Sequence, residues 1–440
     1  MVRRLAHWAK VLFINAVVLM FFLALAEALL ALIWPVPELW NTVSGWKWKD
    51  SPYRAYLIQS GIRGQQFWGS GETNELGFRG RKIQYADSDY VVLLVGDSHV
   101  EAAASRFEDI PEIILERSLK SVSSKSIKVF SIGASGWSQD QQLLALQEYF
   151  KDFRADLVVL WHTPTNDFWE NAFPDRSTTP AAAGASHLKP VFLLKKDGDT
   201  IELFDPPTTL ATTLVRLLRR CNVGRGVLHI LARLPILQLE EFEPNNEVLK
   251  KWLQMIPPTV GHEEVGESHC PSQIIEQWMF TPYYDDFTNR LVTIETFESV
   301  EESRSHLTPF VAPPSLRDQY TKEVTHALLR QMKKLATQNG AEFMVFAPEF
   351  QFKGVSFGSE IRCAKRGTQF FRVDSNLLGP ISQWKDEIDF EKLSIEVGNY
   401  GMAAITVDRR DPDHLNFLGN KLVTEALAQR LALRRTLPTF

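Results

Sequence analysis

Three short polar segments, far apart in the chain, carry residue types that together can perform nucleophilic catalysis. Gly96–Ser98 (Gly-Asp-Ser) follows the apolar run Val91–Val95, and Asn166–Asp167 follows the apolar run Leu157–Trp161. The third segment, Asp411–His414 (Asp-Pro-Asp-His), lies near the C-terminus. A serine hydroxyl is a weak nucleophile until a base takes its proton, and a histidine oriented by a carboxylate is a common base. The residue types therefore indicate acyl transfer through a serine.

Each residue has a distinct role in that chemistry. Ser98 is the candidate nucleophile and His414 the candidate base, and Asp411 lies close enough in sequence to accept the other imidazole N–H. The tetrahedral intermediate also needs hydrogen-bond donors for its oxyanion, each worth roughly 3–4 kcal/mol of transition-state stabilisation. The candidate donors are the backbone N–H groups of Ser98 and Gly136 and the side-chain amide of Asn166.

The elements that must position these residues alternate between short apolar runs and amphipathic stretches, which is typical of an α/β fold. The predicted strands are Tyr90–Val95, Ile127–Ile132, Leu157–Trp161, Glu342–Ala347 and Ala403–Val407. The predicted helices are Glu108–Leu119, Gln139–Phe153, Leu316–Asn339 and Leu418–Leu433, the last with Asn416 as its N-cap. The pattern predicts an open parallel sheet with helices on both faces.

The polar segments each follow a predicted strand of this sheet. Because the carboxyl ends of parallel strands meet at one edge, we expect Ser98, Asn166 and His414 to converge there. Any one segment alone is more typical of a turn or a surface loop than of a site. Their shared position at strand ends is what favours an active site.

At this point the chain resembles the SGNH/GDSL hydrolases. The four blocks of that family are matched by Gly96–His99, Gly133–Gly136, Thr163–Asp167 and Asp411–His414. Asn74–Gly80 also looks like the segment before the first block in membrane-anchored bacterial members. The resemblance implies a flavodoxin-like three-layer α/β/α fold with a parallel sheet. The residues that it places in the family's catalytic and oxyanion roles are Ser98, Gly136, Asn166, His414 and, completing the triad, Asp411.

The resemblance also implies a substrate class. We expect a serine esterase that acts, through an acyl-enzyme, on O-acyl groups of cell-envelope glycans or lipids, without a cofactor. An O-acyltransferase that modifies a surface polysaccharide uses the same site, and the sequence leaves that alternative open. A non-catalytic glycan-binding scaffold is a third hypothesis; its sign would be a broken triad.

Three further residues lie near the predicted edge as candidate substrate contacts: Asp97, Trp137 and His162. Core packing is the competing interpretation for the tryptophan, since aromatic side chains bury much surface. His262–Cys270 is the one group rich in metal-ligand types, but it lacks the His-Glu-x-x-His spacing. We therefore expect an exposed acidic loop there and no metal site.

The N-terminus predicts a membrane anchor. Val11–Trp34 is almost wholly apolar and long enough to cross a hydrocarbon core of roughly 30 Å. Arg3, Arg4 and Lys10 precede it, and the positive-inside rule places them in the cytoplasm. The rest of the chain is then extracytoplasmic, periplasmic if the cell is bacterial. A signal peptide cleaved near Ala26 is the alternative, and it also exports the domain.

Composition limits the remaining classes. The chain has 440 residues and a net charge of −5, and no basic stripe stands out, so we expect no nucleic-acid partner. Its three cysteines are too few for a disulfide scaffold, with Cys270–Cys363 the preferred pair if one bond forms. The predicted organisation is a cytoplasmic N-terminus (1–10), a transmembrane helix (11–34), an extracytoplasmic lead-in (35–88), a hydrolase-like core (89–169 and 316–440) and an insertion or cap (170–315).

Overall fold

A computed structural model gives the architecture of the chain. The residues it describes are 2–33, 74–76, 78–102, 105–123, 125–134, 136–173, 190–198, 200–204, 221–224, 227, 251–258, 263–265, 310–352, 362–366, 369–373, 378–398, 402–408 and 411–434. The chain forms two compact units. One comprises Met1–Asn41 and Pro207–Pro244, and the other comprises Thr42–Pro206 and Asn245–Phe440.

The larger unit is built on a five-stranded parallel sheet. The strands of the described residues are β1 (Tyr90–Gly96), β2 (Ile127–Gly133), β3 (Leu157–Trp161), β4 (Val191–Leu194), β5 (Ile201–Phe204), β6 (Glu264–Val265), β7 (Val311–Ala312), β8 (Glu342–Phe352), β9 (Arg362–Arg366), β10 (Gln369–Val373), β11 (Phe390–Gly398), β12 (Thr406–Asp408) and β13 (Asp411–Leu415). The central sheet has the order β2-β1-β3-β8-β11, and every neighbouring pair is parallel. This is the 2-1-3-4-5 order of doubly wound, flavodoxin-like sheets.

Helices cover both faces of this sheet. Among the described residues, the α-helices with defined bounds are α1 (Val2–Ile33), α2 (Ser98–Glu101), α3 (Pro111–Lys120), α4 (Gln139–Asp152), α5 (Pro164–Glu170), α6 (Leu316–Gln338), α7 (Gly379–Ser382), α8 (Met402–Ile405) and α9 (Phe417–Ala432). Alternate residues of β1 point to opposite faces. Leu93 lies in the hydrophobic core shared with α4 and α6, and Leu94 lies in the core shared with α3 and α9. The continuous apolar run of β1 is therefore buried on both sides, as expected for a central parallel strand.

The sequence-based prediction of the fifth strand was wrong. Residues 403–407 fall in the short helix α8 and in β12, which pairs with β13 outside the central sheet. The fifth central strand is β11, which pairs in parallel with β8 at the edge. Its charged residues alternate with apolar ones, and Leu393, Ile395 and Val397 are buried. An edge strand with one solvated face has no continuous apolar run, and that is why the apolar-run criterion missed it.

Two predicted helices of the core were confirmed, the second with its predicted N-cap. Ser315 and Asp318 form a capping box at the start of α6, and Gly340, with a φ of 78°, follows its end. Asn416 caps α9, since its Oδ1 accepts hydrogen bonds from Leu418 N at 2.9 Å and Gly419 N at 3.1 Å. These caps fix where the chain leaves the helices.

Smaller sheets lie outside the central one. β4 and β5 form an antiparallel hairpin around Asp197–Gly198, and Gly198 has a φ of 74° in its turn. β10 pairs with β6, β7 and β9, all antiparallel. These strands belong largely to the region predicted as an insertion and to the segment that follows α6.

The smaller unit contains α1, the one helix among the described residues that is long and apolar enough to cross a membrane, over Phe13–Ile33. The apolar part of α1, Phe13–Ile33, has 21 residues and is therefore about 32 Å long at 1.5 Å per residue. Such a helix fits a membrane anchor and also a signal sequence. Glu27 of this helix accepts hydrogen bonds at 2.8 Å from Asn222 N, Asn222 Nδ2 and Val223 N, so the inserted residues are held to α1.

Candidate active site

The carboxyl edge of the central sheet brings three of the predicted segments together. Ser98 is the first residue of α2, immediately beyond the end of β1. Gly136 lies between the end of β2 and the start of α4, and Asn166 lies in the first turn of α5, beyond β3. The backbone of Asn166 is helical. The parallel register of β2, β1 and β3 places these segments side by side.

The turn that carries Ser98 is built by its neighbours. The Asp97 Oδ1 atom accepts a hydrogen bond from His99 N at 2.9 Å and so caps α2. Ala102 ends the helix in the left-handed conformation, with a φ of 45°. Its N–H donates a hydrogen bond to Ser98 O at 2.8 Å. Ser98 is 8% exposed. The backbone around the candidate nucleophile is thus fixed at both ends of a single helical turn.

Gly133 allows the end of β2 to approach this turn closely. A Cβ atom at Gly133 would lie 2.8 Å from the backbone nitrogen of Glu101 and 2.7 Å from the Val100 side chain. Gly136 has a φ of 67°, a conformation that glycine adopts readily. Both glycines of the second predicted segment therefore have conformational or steric reasons for their identity.

His414 lies beside the Ser98 turn despite its distance in sequence. Strand β13, which carries His414, contacts α2. The centroid of the His414 ring is 6.1 Å from that of His99, the residue that follows Ser98. His99 in turn stacks on Trp161 of β3, with centroids 5.4 Å apart and planes at 6°. The fold therefore brings the His414 ring next to His99, the residue that follows the candidate nucleophile, and His99 packs on Trp161.

Two predicted side chains lie outside the described residues, those of Asn166 and Asp411. The backbone of Asp411 begins β13 and pairs with Asp408 across the β12–β13 hairpin. This hairpin leads directly into α9, whose N-cap residue Asn416 also donates from Nδ2 to Ala404 O at 2.9 Å. The segment that holds Asp411 and His414 is thus anchored on its C-terminal side.

The candidate contact His162 forms a buried pair with Asp167 behind this edge. His162 Nδ1 lies 2.8 Å from Asp167 Oδ2, and both side chains are at most 1% exposed. Burial raises the pKa of the Asp167 carboxyl to about 6, because desolvation of its charged form outweighs the attraction of His162. The Asp97 carboxylate adds a smaller upward effect.

The other two predicted contacts are also buried. Asp97 is 1% exposed, and its role in the structure is the cap of α2 described above. The Trp137 ring meets Phe78 edge to face, with centroids 5.2 Å apart, and the Trp137 carbonyl accepts a hydrogen bond from Gln142 Nε2 at 3.1 Å. Trp137 therefore packs in the hydrophobic core, which was the competing interpretation of this residue.

Sequence reasoning missed Arg79, a buried residue that hydrogen-bonds the backbone at the C-terminal end of α2, the helix that begins at Ser98. Its guanidinium donates to Glu101 O at 3.3 Å, to Ala102 O, and to Ser105 O at 2.7 Å, the carbonyls at and beyond the C-terminal end of α2. Ser105 Oγ also accepts a hydrogen bond from Asn420 Nδ2 of α9 at 2.9 Å. A polar network thus links the nucleophile turn to the helix that follows His414.

The lead-in segment delivers Arg79 to this position. Asn74 Nδ2 donates to Ser131 O of β2 at 2.9 Å, and its Oδ1 accepts from the backbone N–H groups of Leu76 and Phe78. The similarity of Asn74–Gly80 to a family segment was the one available signal. Glu101 has a charged side chain, which is typical of a solvated helix position, yet it is buried at 1% exposure.

The described residues show no group of three or more histidine, cysteine, aspartate or glutamate side chains able to hold a metal ion. The side chains of His262–Cys270, except that of Glu263, lie outside the described residues. The same holds for the side chains of Cys270 and Cys363, the preferred disulfide pair. The arrangement at the sheet edge instead combines a hydroxyl, an imidazole and backbone N–H groups, the components of nucleophilic acyl transfer.

Comparison with protein-family models finds none that matches the chain, and comparison with curated proteins likewise finds no match.

Proposed function

We propose that the protein is a serine esterase with Ser98 as nucleophile and His414 as base. The observation that carries this proposal is the approach of the His414 ring to His99, directly after Ser98, at the carboxyl edge of the sheet. Ligands of open α/β sheets bind at that edge. The flavodoxin-like strand order supports the SGNH hydrolase fold that the sequence motifs resemble.

The reaction proceeds in two halves. His414 takes the hydroxyl proton as Ser98 Oγ attacks the ester carbonyl carbon, and the resulting oxyanion is held by the N–H groups of Ser98 and Gly136 and by the Asn166 amide. The carbon–oxygen bond to the alcohol breaks, and His414 returns the proton to the leaving oxygen. Water, deprotonated by His414, then attacks the acyl-enzyme, releasing the acid and restoring the Ser98 hydroxyl. Asp411 holds the imidazole tautomer throughout.

The proposed substrates are O-acyl groups of cell-envelope glycans or lipids. The helix α1 supports this choice, because a membrane anchor with a cytoplasmic N-terminus would hold the catalytic unit outside the cytoplasm, at the envelope surface. Retention of residues 1–33 in the mature, membrane-bound protein is expected. A soluble mature protein that begins near Ala26 would instead assign α1 to a signal sequence.

Ester turnover by the detergent-solubilised full chain tests the proposal. With p-nitrophenyl acetate, Ser98→Ala and His414→Ala should each lower kcat by at least 10³-fold, since the members of a triad act as a unit. Ser121→Ala, which removes an exposed serine hydroxyl beyond α3, is the matched control and should keep the wild-type rate. Equal rates for the wild type and Ser98→Ala would contradict the proposal.

The same assay separates hydrolysis from transfer. Added oligosaccharide should leave the rate of acetate release unchanged if water is the acceptor. A rate that rises with oligosaccharide, together with acetylated sugar as product, would assign the site to an O-acyltransferase. A correctly folded wild type that turns over no ester under either condition would favour the scaffold hypothesis.

A further inference from the structure

The pair His162–Asp167 lies at the carboxyl end of β3, next to the residues that carry the proposed chemistry. The His162 backbone is fixed to the central sheet, because its N–H donates to Phe346 O of β8 at 2.8 Å. Its ring meets Phe168 edge to face, with centroids 5.2 Å apart. Since His162 is fully buried, it acts through its neighbours and does not meet solvent.

Asp167 connects this histidine to the start of α5. Its Oδ2 atom lies 2.8 Å from His162 Nδ1 and accepts a hydrogen bond from Thr163 N at 2.8 Å. Thr163 is the N-cap residue of α5, and its own side chain makes no capping bond. The Asp167 carboxylate therefore closes the first turn of α5, and that turn carries Asn166, the proposed oxyanion donor.

The cluster contains buried polar atoms that a purely structural site would avoid. His162 Nε2 and Asp97 Oδ2 are buried and have no hydrogen-bond partner within the part of the chain that the structure describes. Buried polar atoms without partners destabilise a fold, and residues that break local rules concentrate at functional sites. This pattern favours a role in catalysis over a role in stability.

We infer that His162 is a positioning residue for the oxyanion donor: its Nδ1–H holds Asp167, Asp167 holds the first turn of α5, and that turn sets the place of Asn166. The inference rests on the proposed esterase function. It assigns a specific atom, Nδ1, to the role, and it predicts that an amide nitrogen at the same place can substitute for the ring.

The charged groups that face His162 are few among the described residues. Asp167 approaches from α5 and Asp97 from the junction of β1 and α2. The neighbour from α4 is the neutral Gln139, whose Nε2 lies 3.5 Å from His162 Nδ1, and the neighbour from β8 is the Phe346 carbonyl. If a substitution at His162 alters activity, the effect therefore includes any change in its contacts with Asp167 and Asp97.

Two substitutions separate the ring nitrogens. In His162→Asn the side-chain amide nitrogen falls near the position of Nδ1, whereas in His162→Gln it falls near Nε2. We expect His162→Asn to keep kcat for p-nitrophenyl acetate within about threefold of the wild type. His162→Gln should lower kcat roughly 10- to 100-fold, part of the 10²–10³-fold effect of losing an oxyanion donor, with KM within twofold.

His326→Gln is the matched control. His326 lies on α6, stacks on Trp384 and also lies near a carboxylate, with Nε2 3.3 Å from Glu387 Oε2. It is outside the proposed site, so its substitution should leave kcat unchanged. Equal losses in His162→Asn and His162→Gln, or full activity in His162→Gln, would overturn the inference.

A second readout keeps the inference independent of the proposed activity. Amide hydrogen exchange in α5 should accelerate in His162→Gln and stay at the wild-type rate in His162→Asn. If no variant and no wild type turns over ester while this difference in exchange appears, the proposed function fails and the positioning of α5 stands. Unchanged exchange in both variants would reject the positioning role, whatever the ester assay shows.

Discussion

At the scale of single residues, the account depends on a carboxylate that fixes the tautomer of His414. Asp411→Asn should retain the fold and lower kcat by roughly 10⁴-fold, because the amide favours the wrong imidazole tautomer. Asp413→Asn, two positions along the same segment, is the control and should keep wild-type turnover. The reverse result, with Asp413 essential and Asp411 dispensable, would move the orienting role to Asp413. Steady-state kinetics with circular dichroism as a check on folding decide between them.

A second residue-scale prediction concerns Asp167 and pH. Its pKa is raised in the folded state, from an ordinary 3.8 to about 6, so the stability that it contributes is complete below pH 3.8 and is lost as pH rises through 6. Relative to Asp167→Asn, the wild type should therefore lose unfolding free energy as pH rises from 4 to 7, on the order of 2 kcal/mol at 1.36 kcal/mol per pKa unit. Urea denaturation of both proteins across this range measures the difference. A difference that is constant with pH would show that Asp167 titrates normally.

At the scale of elements, Arg79 ties the lead-in to the end of α2. Arg79→Ala leaves the buried carbonyls of Glu101, Ala102 and Ser105 without that donor, and the free energy of unfolding should fall by about 3 kcal/mol. Arg79→Lys should recover only part of this loss, since an ammonium group lacks the planar fork. Arg106→Ala, an exposed arginine nearby, should change stability by less than about 0.5 kcal/mol. Thermal and chemical denaturation test all three, and equal effects for Arg79→Ala and Arg106→Ala would contradict the role.

The elements of the core were largely predictable from sequence, and the exceptions have a physical cause. Buried parallel strands such as β1 and β3 are continuous apolar runs in the sequence. Helices such as α6 and α9 have capping residues that mark where they begin or end. The edge strand β11 alternates charged and apolar residues, so it escaped the same criterion. The β12–β13 hairpin was also unforeseen, because Arg409–Arg410, between the paired residues Asp408 and Asp411, are not the Asn-Gly or Asp-Gly residues typical of a tight turn.

The candidate site was predictable only where chemistry and spacing coincide. Residue type and position at a strand end selected Ser98, whereas His414 was selected by residue type and spacing alone, since it lies within β13 and the strand predicted before it is not part of the central sheet. Arg79 and Asp167 act through hydrogen bonds to carbonyls, N–H groups and a histidine, and their partners are visible only after folding. Glu101 read as a helix surface residue because nothing in the sequence shows that β2 covers α2.

At the scale of the whole molecule, the chain forms two units, and the smaller joins α1 to part of the insertion. Glu27 is the link within that unit. Glu27→Leu removes the acceptor for Asn222 and Val223, so the adjacent Cys221 should react several-fold faster with maleimide, measured with Cys270 and Cys363 replaced by serine. Glu27→Gln keeps one acceptor oxygen and should be intermediate. Asn15→Leu, at the other polar position of the apolar helix, is the control and should leave the rate unchanged.

An equal maleimide rate in Glu27→Leu and the wild type would show that the carboxylate does not hold the inserted residues. The expected result would mean that α1 does more than tether the chain, since it would also organise residues around 222. Removing α1 by signal cleavage near Ala26 would then leave Glu27 at a new N-terminus, without most of the helix that presents it.

The identity of the nucleophile is the central claim, and a fluorophosphonate serine probe tests it most directly. We predict that peptide mass spectrometry of the labelled full chain finds the adduct on Ser98, that His414→Ala slows labelling strongly, and that Ser121→Ala does not. An adduct on a different serine, or no adduct on a folded wild type under conditions that label a control serine esterase, would contradict the account.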